Sequence, residues 1–334
     1  MRGDEKPYVS VSYTFKPDAK ERLEEVLSPL ARIVYLPELS PAERSASLQK
    51  SRVLLALAPH QELTQSEDAL LTNIDFLQLL SAGADHLKFD RLPAHLTVAS
   101  NIGAYAKPMA EHVLAMVLAL SKKLMIHHKE LKQGIFDQKS ENKALAGATA
   151  AIVGFGGIGR EVARLFKAFG MRVLAINRSG KSPEPVDFIG TQADLGKVLT
   201  EADVIVITLP LNRSSRGLIG AAEFKLMKPD AVLVNVGRGE VIDEGAFYQH
   251  LKETPTFMAG IDAWWVEPVR HGCFAMNYPF LSLPNVLGSP HNSALTAGSL
   301  AAAAQKAAEN IRRFLLGEPL VGIVNRADYD TTEH

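Results

Sequence analysis

The stretch "AIVGFGGIGREVARLFKAFGMRVLAIN" (151–177) restricts the fold more than any other part of the chain. It opens on a short apolar run of the kind that forms a strand buried on both faces. Glycines follow at 154, 156 and 159 in a G-x-G-x-x-G array, and then a helical pattern whose Val162, Ala163, Phe166 and Phe169 are expected to face a sheet. A second apolar strand comes next. In that setting Gly154 permits a tight turn, Gly156 lets the backbone approach a pyrophosphate, and Gly159 lets the helix lie close to the strand. Gly157 and Ile158 at the helix start offer N–H groups and the positive end of the helix dipole to phosphates. A glycine-rich turn in any α/β protein can look similar. Strand, loop, helix and strand in register favour a dinucleotide site.

Alternation of strand and helix extends in both directions. On the N-terminal side "YVSVSY" (8–13), "RIVYL" (32–36), "RVLLALA" (52–58), "FLQLL" (76–80) and "LTVAS" (96–100) read as strands, with helices at 17–30 and 40–49. Such alternation predicts a parallel, doubly wound sheet. From Lys107 the spacing of Met109, Val113, Leu114, Val117, Leu118 and Leu120 predicts one long amphipathic helix running towards Leu131. A second alternating block, 147–290, supplies six further strands, and an Ala-rich helix (299–318) closes the sequence. Two long helices bracketing the second block suggest that it is inserted into the first domain. The expected architecture is α/β, with two Rossmann-like domains: a discontinuous substrate domain, 1–103 with 292–334, and a dinucleotide-binding domain, 104–291. Their cleft is the expected ligand site.

Bulk properties narrow the function. At roughly 150 residues per domain, 334 residues suggest two domains. A formal net charge of −1, without a basic stripe, argues against nucleic acid as a partner. Cys273 is the one cysteine, so no internal disulfide can form, which suits a reducing compartment. The opening "MRGDEKPYVSVSY" has no apolar signal core, and no run of 18 apolar residues occurs, so a cytoplasmic protein without membrane attachment is expected.

Three stretches of the second block end strands at the edge where doubly wound sheets bind ligands. "NVGRGEVID" carries Arg238, "IDAWWVEP" carries Asp262 and Glu267, and "LGSPHNSA" carries His291. Singly, an Arg is usually a solvated charge and a His a structural one. Jointly they are the set that reduction of a 2-oxo acid needs. Arg grips a carboxylate through two parallel bonds, His donates a proton near neutral pH, and a neighbouring Glu orients it and favours its charged form. Other candidates are weaker. His127 and His128 are adjacent on a helix and diverge too far for a metal pair, and no paired-Cys or H-E-x-x-H spacing exists, so no metal is expected. Glu111 and His112, near the start of the long helix, either support the site from behind or, the preferred reading, supply a carboxylate that favours the helix start. His271 lies in a loop near the presumed site, and Arg312 and Arg313 read as a solvated helix face.

The glycine loop, "VNVGRG", "DAWWVEP", "LPNVLGSPHNSA", "LLSAGADHL" (79–87) and "MAEHVLAMVLAL" (109–120) together resemble the D-isomer-specific 2-hydroxyacid dehydrogenase family over nearly the whole chain. The resemblance implies that Arg238 binds the substrate carboxylate and carbonyl, that His291 is the acid/base, and that Glu267 is its partner. It implies that the backbone at Gly83 and Ala84 also holds the substrate carboxylate. Asp262 and the segment of Val236, Gly237 and Arg238 would lie at the nicotinamide, and Pro210 would line the cofactor groove. A split first domain and a homodimer are also implied. Trp264 and Trp265, the long stretch 269–283 and "HNSA" depart from the usual pattern beside the presumed substrate pocket. The two Trp either shape that pocket or fill the interdomain core, and at least one is read as core.

One departure bears on the cofactor. The position eighteen residues past Gly159 is Asn177, where NAD-binding sequences place a carboxylate on the ribose. Asn177 removes the repulsion of a 2′-phosphate, and Arg178, Ser179 and Lys181 can receive it. NADP(H) is therefore expected to be preferred, with NAD(H) as the alternative. The expected activity is reduction of a small 2-oxo acid, of the glyoxylate or hydroxypyruvate type, to the D-2-hydroxy acid. The rivals are a non-catalytic nucleotide sensor resembling a corepressor and a dehydrogenase of formate or phosphite.

Overall fold

The computed structural model describes residues 6–329. The ends of the expected substrate domain, 1–5 and 330–334, lie outside the described residues, and with them part of the opening segment. The chain divides into two compact units. One runs to Tyr105 and resumes at Leu295, and the other is the continuous stretch Ala106–Ala294.

The first unit holds strands β1 (Tyr8–Val11), β2 (Arg32–Tyr35), β3 (Ser51–Ala56), β4 (Phe76–Leu79) and β5 (Thr97–Ala99), in the order β2-β1-β3-β4-β5 with every pair parallel. Because successive side chains point to opposite faces, β3 sends Val53 and Leu55 into one apolar cluster and Leu54 and Ala56 into another. Helices Pro17–Leu27 and Ser299–Leu316 cover the first of these faces. Ala303, Ala304, Ala307, Ala308 and Ile311 recur at helical spacing and are fully buried, so small side chains let the last helix come close. A polar thread crosses this core. Asn310 donates to the buried Gln78 Oε1 at 2.7 Å and both donates to and accepts from the Val321 backbone. Past β4, Gly83 and Ala84 are buried; the Gly83 carbonyl accepts from Ser81 Oγ, and that of Ala84 from the Leu87 N–H.

The second unit holds β6 (Thr149–Val153), β7 (Arg172–Ile176), β8 (Phe188–Gly190), β9 (Val204–Ile207), β10 (Val232–Asn235), β11 (Met258–Ile261) and β12 (Val286–Gly288). They form one parallel sheet in the order β12-β11-β10-β9-β6-β7-β8. The order reverses between β6 and β9. Crevices at such switch points, at the C-terminal ends of strands, are where doubly wound sheets take ligands.

Three sequence expectations change. The long helix from Lys107 is two helices, Ala106–Ser121 and Leu124–Lys132, separated by Lys123 in the left-handed region at φ 49°. The Ser121 carbonyl accepts from the Lys143 N–H, and the second helix buries no side chain that would hold it in line with the first. Phe169, expected on the sheet, follows the last turn of its helix and is 40% exposed, whereas Val162, Ala163 and Phe166 are buried. Strand β8 was not foreseen, being three residues long and without an apolar run of its own. No described helix is long and apolar enough to cross a membrane.

Candidate active site

Five loops leave the C-terminal ends of β6, β9, β10, β11 and β12 along one edge of the second sheet, and they carry most of the expected site residues. After β6, Gly154 and Phe155 both donate to the Ile176 carbonyl, folding the chain back on β7. Gly154 has φ +109°, and a Cβ there would lie 2.8 Å from Thr208 Oγ1. Thr208 Oγ1 itself donates to the Gly154 carbonyl at 2.5 Å, so β9 clamps the turn. A Cβ on Gly159 would lie 2.4 Å from the Gly154 carbonyl oxygen and 3.0 Å from Ile152 Cγ2. Gly156 differs, with open space where its Cβ would be, and Gly157 begins the helix behind it. Two glycines thus make a tight turn possible, and the third leaves bare backbone at a helix N-terminus. This cradle fits the pyrophosphate of a dinucleotide.

At the end of β7, Asn177 Oδ1 accepts from the N–H groups of Ser179 (3.1 Å) and Gly180 (2.7 Å), and Nδ2 donates to the Lys181 carbonyl at 2.8 Å. Asn177 therefore shapes the 177–181 turn, with Gly180 in the left-handed region. Arg178, Ser179 and Lys181 are exposed on it. Pro210, past β9, is exposed, and its carbonyl accepts from Ser215 Oγ.

The loop after β10 is braced from below. Asn235 is fully buried; its Oδ1 accepts from the Gly237 N–H and its Nδ2 donates to the Arg238 carbonyl. A Cβ on Gly237 would reach 2.5 Å from the Leu209 carbonyl, and one on Gly239 would reach 2.4 Å from the Trp264 carbonyl carbon. Arg238 stands half-buried between these two close approaches, with Nη1 donating to the Gly237 carbonyl.

After β11 and β12 the acid and the histidine meet. His291 Nδ1 lies 2.8 Å from both carboxylate oxygens of Glu267, across 24 positions of sequence. Glu267 Oε1 also accepts from the Trp264 N–H at 2.7 Å. Burial pushes the Glu267 carboxyl up, but the hydrogen bond and charge of His291, the Trp264 N–H and the charge of Arg238 outweigh it and hold the group below its ordinary value. His291 has φ +50°, a left-handed conformation uncommon for histidine. Its N–H donates to the Asp262 carbonyl at 3.0 Å. The Asp262 carboxylate, fully buried, accepts from Ser289 Oγ at 2.5 Å and from the N–H groups of Asn292 and Ser293. Ser289 Oγ in turn lies 3.0 Å from His112 Nε2. Beside this group the buried Ser293 hydroxyl has no hydrogen-bond partner among the described residues.

Arg238, Asp262, Glu267 and His291 therefore share one strand-end region of the second unit. Trp264 and Trp265 are both buried, and both belong to that unit's own core. Trp264 Nε1 donates to the Ser289 carbonyl, Trp265 Nε1 donates to that of Ile242, and the Trp265 ring stacks on Phe280 with centroids 5.3 Å apart. His271 uses Nδ1 to accept from the Glu267 N–H. Arg270 fastens the same segment through two bonds to Glu240, 3.0 and 2.6 Å. Of the stretch 271–279 every residue is exposed, Cys273 included, and Phe280 is buried.

Sequence reasoning passed over Asn235, Ser289, Ser293 and Thr208, and for Glu111 and His112 preferred a helix-start reading to a supporting role at the site. One of these had a signal: an amide closing the apolar run "AVLVN" is out of place unless it braces something. The described residues contain no cluster of three or more metal-ligating side chains.

Comparison with known proteins bears on the same edge. A family model for the NAD binding domain of D-isomer specific 2-hydroxyacid dehydrogenases matches residues 114–293. A glyoxylate reductase from Aeropyrum pernix is 31% identical over 96% of this chain and 96% of its own. A hydroxypyruvate reductase from Thermotoga maritima is 31% identical over 67% of this chain and 72% of its own. Among solved structures, a D-isomer specific 2-hydroxyacid dehydrogenase family protein from Aeromonas salmonicida gives a TM-score of 0.79 at 28% identity, covering 96% of this chain and 99% of that one. With more than half of its length matched by the family model and a relative aligned almost end to end, the chain belongs to the D-isomer specific 2-hydroxyacid dehydrogenases, NAD(P)-dependent oxidoreductases.

Proposed function

We propose that this protein reduces a small 2-oxo acid, of the size of glyoxylate or hydroxypyruvate, to the D-2-hydroxy acid, and that it prefers NADPH. The observation that carries the reading is the Glu267–His291 contact. An ionised carboxylate only accepts hydrogen bonds, so Nδ1 of the ring holds its proton towards Glu267 and Nε2 becomes the atom that gains or loses one. His291 then delivers the Nε2 proton to the carbonyl oxygen as charge builds there. Arg238 grips the substrate carboxylate and stabilises that charge. The Gly154–Gly159 cradle would hold the pyrophosphate of the dinucleotide, whose nicotinamide, when bound, would supply the hydride. Asp262, Val236 and Gly237 are proposed to line its ring, Pro210 its groove, and Gly83 and Ala84 to bind carboxylate with their backbone. A proton-donating pair has no use in formate oxidation or in a purely sensing protein, which is why the reductase reading is preferred.

Preference for NADPH rests on the 177–181 turn. Asn177 spends its side chain on the turn itself, and the turn exposes Arg178, Ser179 and Lys181, two cations and a hydroxyl suited to a 2′-phosphate. Replacing Asn177→Asp with Arg178→Ala keeps the two bonds that Oδ1 accepts, restores the repelling charge, and is expected to reverse the preference towards NADH. The check is kcat/KM for both cofactors with one 2-oxo acid, before and after the change. An unmodified protein that prefers NADH would overturn the cofactor assignment and leave the reductase reading standing. We also propose a cytoplasmic homodimer. A single exposed thiol suits a reducing compartment, and exposed Leu124, Met125, Leu131, Ile135 and Phe136 offer apolar surface for a second copy. A sedimentation mass of one chain would count against the dimer.

A further inference from the structure

We propose that His112 is a positioning residue for His291, acting through Ser289 and Asp262; the inference rests on the acid/base reading of His291 given above. His112 lies in the first turns of the Ala106–Ser121 helix, far in sequence from the loops that make the site. Proton counting fixes the direction of the chain of bonds. Asp262 accepts N–H bonds on both oxygens, from Asn292 and from Ser293, and its Oδ1 lies 2.5 Å from Ser289 Oγ, so the single hydroxyl proton of Ser289 points at Asp262. Ser289 therefore meets His112 Nε2, 3.0 Å away, with a lone pair, and Nε2 must carry the proton. The sequence of donors is Nε2–H to Oγ, then Oγ–H to Oδ1, each bond polarising the next. The ring sits 3.7 Å from the Asp262 carboxyl group and a quarter of its side chain is exposed, so it links a fully buried side chain to the surface.

What Asp262 holds is the turn that aims His291. Its carbonyl accepts from the His291 N–H, and its carboxylate from the N–H groups of Asn292 and Ser293 and from the hydroxyl of Ser289. Four of the five residues from Ser289 to Ser293 thus converge on one side chain and its carbonyl. His291 needs this, because left-handed backbone is strained for a non-glycine residue and persists only where the surroundings over-determine it. Loss of the His112 N–H leaves Ser289 Oγ without its donor and frees the hydroxyl to rotate away from Asp262. The turn then loosens and the acid nitrogen of His291 moves off its line to the substrate.

The test uses the full chain with His112→Phe, which keeps a ring and removes the N–H, with His112→Gln, which restores an amide donor, and with Ser289→Ala. Kinetics are read with NADPH and with whichever of glyoxylate or hydroxypyruvate the unmodified protein reduces. The expected result for His112→Phe is a fall in kcat of about tenfold with KM for the 2-oxo acid changed less than about twofold, since only transition-state alignment is lost. His112→Gln is expected to recover most of kcat, and adding Ser289→Ala to His112→Phe to cost nothing more, because both cut one chain. Amide hydrogen exchange at Asn292 and Ser293 should quicken in His112→Phe, a readout that needs no turnover. Unchanged exchange and kcat, a His112→Gln variant as slow as His112→Phe, or additive losses would each overturn the proposal. A protein that reduces no 2-oxo acid would overturn the functional reading instead, and the exchange measurement would still decide the role of His112 in the turn.

Discussion

The two sheets are built alike and end differently. In the first unit the turn after β1, Ser12-Tyr13-Thr14-Phe15-Lys16, has no glycine, and Tyr13 and Phe15 pack edge to face with centroids 5.2 Å apart. The strand ends beside it are answered from within. Glu62 accepts from the N–H groups of Leu57 and Ala58 past β3 and from the Ser12 hydroxyl at 2.6 Å. In the second unit the corresponding first turn is Gly154-Phe155-Gly156, and the backbone at Gly156 is left open. One sheet thus supplies its own carboxylate to its strand-end amides, and the other leaves amides at a helix start for an anion from outside. Architecture is common to both; what separates them is whether polar groups at the strand ends are already satisfied.

If the chemistry belongs to the second sheet's edge, replacing His291→Asn should do the most damage, lowering turnover about 10²- to 10⁴-fold. Asn tolerates a left-handed backbone, so the fold and cofactor affinity should persist. Steady-state rates and cofactor titration decide it, and a variant keeping more than half its rate would break the contrast outright. Arg238→Lys comes next, at about 10²- to 10³-fold in kcat/KM, because a point ammonium cannot make two parallel bonds to a carboxylate. Near-normal activity there would move the carboxylate grip elsewhere.

Gly154→Ala sharpens the comparison at the turn itself. A methyl group 2.8 Å from Thr208 Oγ1, on a residue with φ +109°, should cost about 1–3 kcal/mol of stability and weaken NADPH binding. Calorimetry and a binding titration would show both, and an unaffected dissociation constant would mean that this turn does not cradle the cofactor. Glu267→Gln should have the smallest effect at neutral pH and the most specific one. Removing the negative partner of the imidazolium should move the alkaline limit of reduction to lower pH. Stability adds a second reading with its own sign. Glu267 is held below its ordinary value in the fold, so its charge stabilises at pH above that ordinary value, and the contribution is lost as pH falls through the folded value. The stability gap between the two proteins should accordingly shrink in acid. Equal pH–rate profiles would separate Glu267 from the acid/base step.

Much of this was readable from the sequence, for a physical reason. Buried parallel strands need unbroken apolar runs, so the strands other than β8 announced themselves, and the glycine spacing marked a turn that only glycine permits. Phe169 was misread because helical spacing persists past the point where its helix ends. The break at Lys123 was invisible because it depends on Lys143 taking the Ser121 carbonyl. In the site, Arg238, Glu267 and His291 were chosen by chemical type and by resemblance, yet nothing in spacing says that residues 24 apart touch. Their supports were hidden for the same reason. His112, Ser289 and Asn235 matter only through what they meet once the loops are folded.

The last helix carries a consequence for how the chain is made. Asn101 Nδ2 bonds the Ala303 carbonyl across 202 residues, and Ala307, Ala308 and Ile311 fill the same cluster as Val9, Leu23 and Phe76. On a ribosome, the first unit must therefore wait, its apolar sheet face uncovered, until the helix Ser299–Leu316 has been made. The second unit is continuous and can finish folding while its elder neighbour is still incomplete. The unit whose strands are made before the inserted one is completed after it, and a truncation that removed only the helix Ser299–Leu316 would strand it as a client for chaperones.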